Sequence, residues 1–392
     1  AAHVTRLEIA SNRIVVNAME PRSAVGSYDS LSGRWTLHVG CQGVMGLRGG
    51  LARDVLNVTP DKVRVLTGNV GGSFGMKSQV YPEYAPLLLG GKLLGRSVKW
   101  TDERSESFLS DHAGRDHQRI AELALAKDGR FLAVRLSGTG NAGAYIYPPM
   151  PATTNAVKNV IDVYKTPAME VNSKVVFTNT TPVGAYRGAG RPEGNYYMER
   201  LIDTAAREMG IDRVEMRRLN HIASGQMPYK APSGMNYDSG EFTAILDKAL
   251  VAADWQGFDK RKQESAARNK LRGRGIGSYL EVTGPPAKEY GGIRFEADGT
   301  VTMLSGTLDY GQGHATPFAQ VLGSQLGIPF ERFRLLQGDS DQLKVGGGTG
   351  GSKSALVASQ AFLEAGDILI EQGKQIAAHV LEAAAVDIEF ER

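Results

Sequence analysis

The sequence predicts an α+β fold, with mixed sheets packed against helices. Three observations carry this expectation. Short segments of alternating apolar and polar residues recur along the whole chain, and stretches with helical apolar periodicity follow several of them. Glycine-rich turns stand where one kind gives way to the other. Of 392 residues 48 are Gly, against a usual share near 7%, and no collagen-like period explains them.

The elements follow in order. Arg6-Leu7-Glu8-Ile9 and Trp35-Thr36-Leu37-His38-Val39 alternate as strands do. Gly46 to Leu56 reads as a helix, and Lys62 to Leu66 as a strand running into Gly68-Asn69-Val70-Gly71-Gly72-Ser73-Phe74-Gly75. Arg96 to Trp100 is the next strand. Pro192 opens a helix whose stripe is Met198, Leu201, Ile202, Ala205 and Met209, and Gly210 stops it. A further helical segment ends near Asn220, and the polar, basic stretch after it holds the domain boundary. The expected organisation is a first domain over 1–222, a helical linker region over 223–274 and a second domain over 275–392.

In that second domain Gly275 to Val282 and Val301 to Ser305 read as strands. The latter runs into Gly311, and the helix after it has Thr316 as N-cap, Pro317 at its first position and Gly327 as stop. Strand, glycine turn and helix recur after Phe333 to Leu336, where Ser354 to Ala384 is helical in pattern. Asp387 to Arg392 alternates like a strand.

Composition narrows the function. Hydrophobic residues at 42% and charged residues at 22% suit a globular protein. A net charge of +3, with basic residues dispersed, argues against a nucleic-acid surface or an anionic membrane as partner. The single cysteine, Cys41, rules out an internal disulfide and any cluster held by several thiolates. No apolar run approaches the roughly 20 residues of a membrane span and no signal peptide is present, so a cytoplasmic setting is expected. The chain begins at Ala1 rather than Met, and both ends read as cut.

Two glycine-rich loops carry the most chemistry: Gly311-Gln312-Gly313-His314, and Gly346-Gly347-Gly348-Thr349-Gly350-Gly351-Ser352-Lys353-Ser354. Each precedes a helix, so each can aim backbone N–H groups and the positive helix end at phosphate. Residues 346–351 satisfy G-x-G-x-x-G, but the turn Asp339-Ser340-Asp341-Gln342 stands where a dinucleotide fold needs a strand. Gly351-Ser352-Lys353-Ser354 misses the phosphate-loop G-K-S by one residue. Two further loops join them, Gly71-Gly72-Ser73-Phe74-Gly75-Met76-Lys77 and Ala185-Tyr186-Arg187-Gly188-Ala189-Gly190-Arg191-Pro192-Glu193. The second sets two arginines at a helix N-terminus, where bidentate pairing suits phosphate or carboxylate. Taken singly, each loop is equally a tight turn, Gln42 a polar residue at a helix start, His314 a capping or surface histidine, and Phe74 a core side chain.

As an ordered set, these four segments resemble the molybdenum-binding large subunit of the xanthine oxidase and aldehyde oxidoreductase family, which includes carbon monoxide dehydrogenase. Asn17-Ala18-Met19-Glu20-Pro21-Arg22, Arg96 to Thr101, Tyr237-Asp238-Ser239-Gly240 and Gly338-Asp339-Ser340-Asp341 belong to the same resemblance, which extends over nearly the whole chain. It implies two molybdopterin-binding domains and a molybdopterin cytosine dinucleotide cofactor. By resemblance Gln42 hydrogen-bonds an oxygen on molybdenum, and Gly72, Ser73, Phe74 and Gly75 wrap the metal and pterin. Arg187 stands near the active site. Gly311, Gln312, Gly313 and His314 hold the pterin and its phosphates, and Thr349, Gly351, Ser352, Lys353 and Ser354 the dinucleotide end. No side chain of the chain is expected to ligate the metal, because the pterin dithiolene supplies sulfur.

The resemblance further implies oxidative hydroxylation of a small-molecule substrate at a carbon next to oxygen or nitrogen. A 2Fe-2S subunit and an FAD subunit would take the electrons, in a dimer of heterotrimers. Departures narrow it. Gly188-Ala189-Gly190 stands where carbon monoxide dehydrogenases carry a cysteine, and Ser78 and Ala189 stand where purine oxidisers carry Glu and Phe. An aldehyde or an aromatic N-heterocycle is therefore expected. The family's general-base glutamate lies downstream of Ser354 in a motif this chain does not contain, so the chain reads as a fragment lacking both ends and inactive in isolation. The rival readings are a non-redox nucleotide- or phosphate-binding protein and a catalytically silent structural subunit.

Overall fold

The computed structural model describes residues 1–146, 156–284 and 288–391. Contacts group into two compact units, each assembled from two stretches of chain: Ala1–Val15 with His112–Glu281, and Val16–Asp111 with Val282–Arg392.

The first unit is built on a four-stranded sheet in the order His3–Ser11, His117–Leu125, Phe131–Gly143, Ala168–Phe177. The first three strands are antiparallel and the last pairs parallel. Strict alternation puts Ala121, Leu123 and Leu125 on the buried face. Helix Arg191–Met209 covers that face, burying Tyr197, Met198, Leu201, Ile202 and Ala205 completely. Each of the Met, Leu and Ile side chains contributes about 1.5–3 kcal/mol of hydrophobic stabilisation. The helix starts at Arg191, with the expected Pro192 in its first turn, and ends on left-handed Gly210.

Gly275–Val282 corrects the reading of the sequence, because it forms no strand. Side chains of the same unit take three of its backbone groups. Ser278 N–H donates to the Glu199 carboxylate at 3.1 Å, Leu280 N–H donates to Asp162 at 2.7 Å, and the Ile276 carbonyl accepts from Arg217 at 3.2 Å.

The second unit holds a four-stranded sheet in the order Val63–Leu66, Arg34–Val39, Ser23–Asp29, Val98–Thr101, covered by helix Tyr84–Leu94. It also holds a three-stranded sheet of Gly291–Phe295, Val301–Ser305 and Phe333–Leu336. Helices Ala315–Leu326 and Ser354–Val380 pack on the latter through Phe318, Leu322, Ala358 and Phe362. Contacts far apart in sequence join the two stretches. The Arg64 guanidinium pairs with Asp339 at 2.6 Å, and Val65 N–H donates to Ser340 Oγ at 2.9 Å.

The helix expected from Thr316 begins at Ala315, with His314 at the N-cap position. The alternation near the end forms no strand among the described residues. Ala385–Asp387 is a short 3-10 turn, and no described strand pairs with residues 388–391. Among the described residues no helix is long and apolar enough to cross a membrane.

Candidate functional site

Gln42 sits between strand Arg34–Val39 and helix Val44–Gly50 in the second unit, only 7% exposed. Its side chain does not cap that helix. The Oε1 atom accepts from Ser73 Oγ and from Gly75 N–H at 2.7 Å. The Nε2 atom donates to the Thr349 carbonyl at 2.9 Å and to the Tyr310 hydroxyl at 3.2 Å. Backbone bonds repeat the pattern: Gln42 N–H donates to the Lys77 carbonyl at 3.1 Å, and Thr349 N–H to the Gln42 carbonyl at 2.9 Å. An amide offers two donors and one acceptor oxygen, and all are used. Three loops distant in sequence thus meet on one side chain.

In the first of these loops Phe74 has a left-handed φ of 52°, between Gly72 at 94° and Gly75 at 110°. Such a conformation costs a non-glycine residue about 1–3 kcal/mol and persists only where its surroundings impose it. The result is that Ser73 is fully buried against Gln42 while Phe74 points outward, 43% exposed. Phe74 is not a core residue.

The second loop holds a residue the sequence did not single out. Asp309 Oδ1 accepts from Gly311 N–H at 2.8 Å and Gln312 N–H at 2.7 Å, and Oδ2 accepts from His314 N–H at 2.7 Å. The N–H groups expected to face a phosphate are therefore engaged by an internal carboxylate. Burial alone would raise the Asp309 carboxyl, but backbone donors from Gly311, His314, Gly313 and Gln312 outweigh it and hold it below the ordinary carboxylate value. An acid two residues before a Gly-x-Gly turn was the legible signal. His314 is 4% exposed, so it is no surface histidine, and burial lowers its pKa. Its ring lies 5.2 Å from that of Phe318, and among the described residues its Nδ1 has no hydrogen-bond partner.

In the third loop Thr349 Oγ1 lies 2.8 Å from Ser354 Oγ and accepts from Leu308 N–H at 3.0 Å, tying this loop to the second. Gly347 N–H donates to both Glu289 carboxylate oxygens at 3.1 Å, and Lys353 Nζ donates to the Gly347 carbonyl at 3.3 Å. Gly351 and Ser352 are exposed at the start of the 27-residue helix Ser354–Val380, which has no side-chain cap and no acid in its first turn. Its N-terminal N–H groups and positive dipole end suit an anion. Added Cβ atoms at Gly311 and Gly313 would meet nothing within 4 Å. Open space beside Gly311 and Gly313, a buried unpartnered imidazole nitrogen at His314 and an uncapped helix start at Ser354 together fit an extended ligand whose phosphates lie at the helix start rather than on the Gly311 turn, where Asp309 engages the donors.

Arg187 belongs to the first unit, in the turn before helix Arg191–Met209. The Arg115 guanidinium donates to the Tyr186 carbonyl at 3.0 Å and the Arg187 carbonyl at 2.7 Å, and pairs with Glu193 at 3.3 Å. Burial raises the Glu193 carboxyl. Cys41 is buried 3.1 Å from Thr67 Oγ1, and burial pushes its thiol up, away from the thiolate a metal would need. Among the described residues no three His, Cys, Asp or Glu side chains gather as metal ligands.

Comparison with known proteins decides the family. Residues 1–221 and 248–392 each match the molybdopterin cofactor-binding domain. The chain belongs to the molybdopterin cofactor-binding family. Among molybdopterin-binding relatives, it is 32% identical over 395 residues to the carbon monoxide dehydrogenase large chain of Hydrogenophaga pseudoflava, covering 95% of this chain and 49% of that one. It is 30% identical over 407 residues to the nicotine 6-hydroxylase large subunit of Paenarthrobacter nicotinovorans, covering 100% and 50%. The crystal structure of quinoline 2-oxidoreductase from Pseudomonas putida 86 superposes with a TM-score of 0.92 at 30% identity, covering 100% of this chain and 51% of that one. The chain spans about half the length of the curated relatives it matches.

Proposed function

We propose that this chain holds a molybdopterin cytosine dinucleotide in an enzyme that oxidatively hydroxylates an aldehyde or an aromatic N-heterocycle. The observation that carries the reading is the convergence of three glycine-rich loops on Gln42 within one compact unit. When bound, the molybdenum pterin supplies the two-electron oxidation at the substrate carbon. The protein's part is to hold and orient. Gln42 and the Gly72–Gly75 turn with Phe74 would serve the metal end, and Gly311–His314 the pterin and its phosphates through the open space beside the two glycines, since Asp309 holds the turn's own N–H groups. Thr349 and Gly351 to Ser354, at an uncapped helix start, would receive the dinucleotide phosphates. Arg187, with its carbonyl held by Arg115, would stand near the substrate.

Relatives named for nicotine and quinoline support an N-heterocyclic substrate. The small side chain of Ala189 after Arg187-Gly188 is consistent with a ring-sized substrate. The loop from Tyr186 to Gly190 contains no cysteine, which argues against the copper-dependent chemistry named for one structural relative. Electrons would leave through a 2Fe-2S subunit and an FAD subunit in a cytoplasmic dimer of heterotrimers.

Metal and nucleotide analysis of the complex purified from its source tests the proposal. Stoichiometric molybdenum with cytidine nucleotide released by acid is expected, together with oxidation of N-heterocycles or aldehydes in a substrate panel. A molybdenum-free complex that retains nucleotide would favour a non-redox binding protein. Xanthine as the best substrate would overturn the substrate class.

A further inference from the structure

Glu20 lies in the segment Asn17–Arg22, and one oxygen of its carboxylate reaches both ends of the Phe74 loop. Glu20 Oε2 accepts from Gly71 N–H at 2.9 Å and from Lys77 Nζ at 2.6 Å. Glu20 N–H donates to the Gly71 carbonyl at 3.0 Å. The Lys77 side chain is fully buried, and Glu20 is the partner of its ammonium. The contact leaves little slack. A Cβ on Gly71 would fall 2.5 Å from Glu20 Cβ, and one on Gly40 would fall 3.3 Å from Glu20 Oε2.

What the carboxylate holds leads directly to Gln42. The Lys77 carbonyl accepts from Gln42 N–H, and Lys77 N–H donates to Ser73 Oγ at 3.0 Å. That hydroxyl in turn donates to Gln42 Oε1. Glu20 is itself fixed from behind. Arg104 donates to the Ala18 and Met19 carbonyls. Arg22 is buried between Glu83 at 2.9 Å and Asp111 at 2.5 Å, with its guanidinium 3.8 Å from the Tyr81 ring centre. A left-handed residue at the tip of a seven-residue loop needs such support, because its own conformation does not favour the turn.

We propose that Glu20 is a positioning residue for the Gln42–Phe74 site: its carboxylate clips residues 71 and 77 together and so sets the orientation of the Gln42 amide. The inference rests on the reading of that loop as part of the molybdopterin site. It differs from a role in which Glu20 only neutralises a buried ammonium.

The test is amide hydrogen exchange on the purified complex, followed in peptides covering residues 71–77, with strand His117–Leu125 as internal reference. Glu20→Ala should speed exchange at 71–77 by about tenfold or more and leave the reference unchanged. The double variant Glu20→Ala with Lys77→Met removes the buried charge as well, and should remain fast. Glu20→Gln retains an acceptor oxygen for Gly71 and should recover part of the protection. Unchanged exchange in Glu20→Ala, or protection restored in the double variant, would overturn the proposal. Molybdenum content separates this outcome from the functional reading. Wild-type complex devoid of molybdenum removes the molybdopterin assignment, while a loosened 71–77 segment still stands as evidence for the clip.

Discussion

Gln42 and Thr349 stand 307 positions apart and exchange two hydrogen bonds. The Gln42 side chain donates to the Thr349 carbonyl at 2.9 Å, and Thr349 N–H donates to the Gln42 carbonyl at 2.9 Å. The site depends on this pairing, because it locks the third glycine loop to the side chain that the first loop holds.

Gln42→Glu should therefore destabilise the fold as well as the site. A carboxylate cannot donate to the Thr349 carbonyl or the Tyr310 hydroxyl, and it sets negative charge against a carbonyl oxygen. The expected loss is about 2–3 kcal/mol in unfolding free energy, read from the urea midpoint at constant slope. A midpoint within error of wild type would show that the amide donors are dispensable.

Gly348 is a second lock in the same place. Its φ is +63°, and a Cβ there would fall 2.5 Å from the Gln42 carbonyl oxygen. Gly348→Ala should cost about 2–4 kcal/mol. Gly373→Ala is the control. Gly373 lies inside helix Ser354–Val380 with nothing near an added Cβ, and alanine there should gain about 0.5–1 kcal/mol. Equal effects of the two substitutions in thermal melts would contradict the geometry.

Asp309 gives the glycine turn a pH dependence. Its folded pKa lies below the ordinary value, so its contribution is present above that ordinary value and fades as pH falls through the folded one. Asp309→Asn should lose roughly 1–3 kcal/mol at neutral pH, since an amide offers the three N–H donors a weaker acceptor. The difference between the two proteins should hold steady from about pH 8 to 5 and shrink below about pH 4. A gap unchanged at low pH would assign the effect to shape rather than charge.

His117 and His221 act in the first unit. Burial, with Arg119 and Arg217 respectively as nearby cations, pushes each down to about 4 from an ordinary 6.5. His117 Nδ1 lies 2.9 Å from the Tyr197 hydroxyl, and His221 Nδ1 lies 3.1 Å from Thr243 Oγ1. Both are neutral in the folded protein while the unfolded chain protonates them, so stability is complete above about pH 6.5 and falls between there and about pH 4. The size is on the order of 3 kcal/mol per histidine. Urea titrations at stepped pH should show a shallower acid slope for His117→Gln. An identical slope would place the loss elsewhere.

The sequence by itself determined the alternation of strands and helices, the Pro192 start and Gly210 stop of the long helix, and the glycine loops before two helices. Those signals are local: periodicity, caps and turn residues act over a few positions, and the chain obeys them where nothing distant competes. Family membership was legible for the same reason, since ordered loop motifs survive as short strings.

Tertiary structure decided the rest. Gly275–Val282 has strand composition but forms no ladder; Glu199 and Asp162 take the N–H groups of Ser278 and Leu280 instead. The turn at Gly311 has open space beside it, yet Asp309 already engages its donors. Above all, the partners of Gln42 follow from the pairing of residues 63–66 with the turn at 339–340, which brings the first and third loops into one unit. Contacts that close over some three hundred residues leave no periodic trace in either stretch. Only the folded chain determines which donors face which acceptors there.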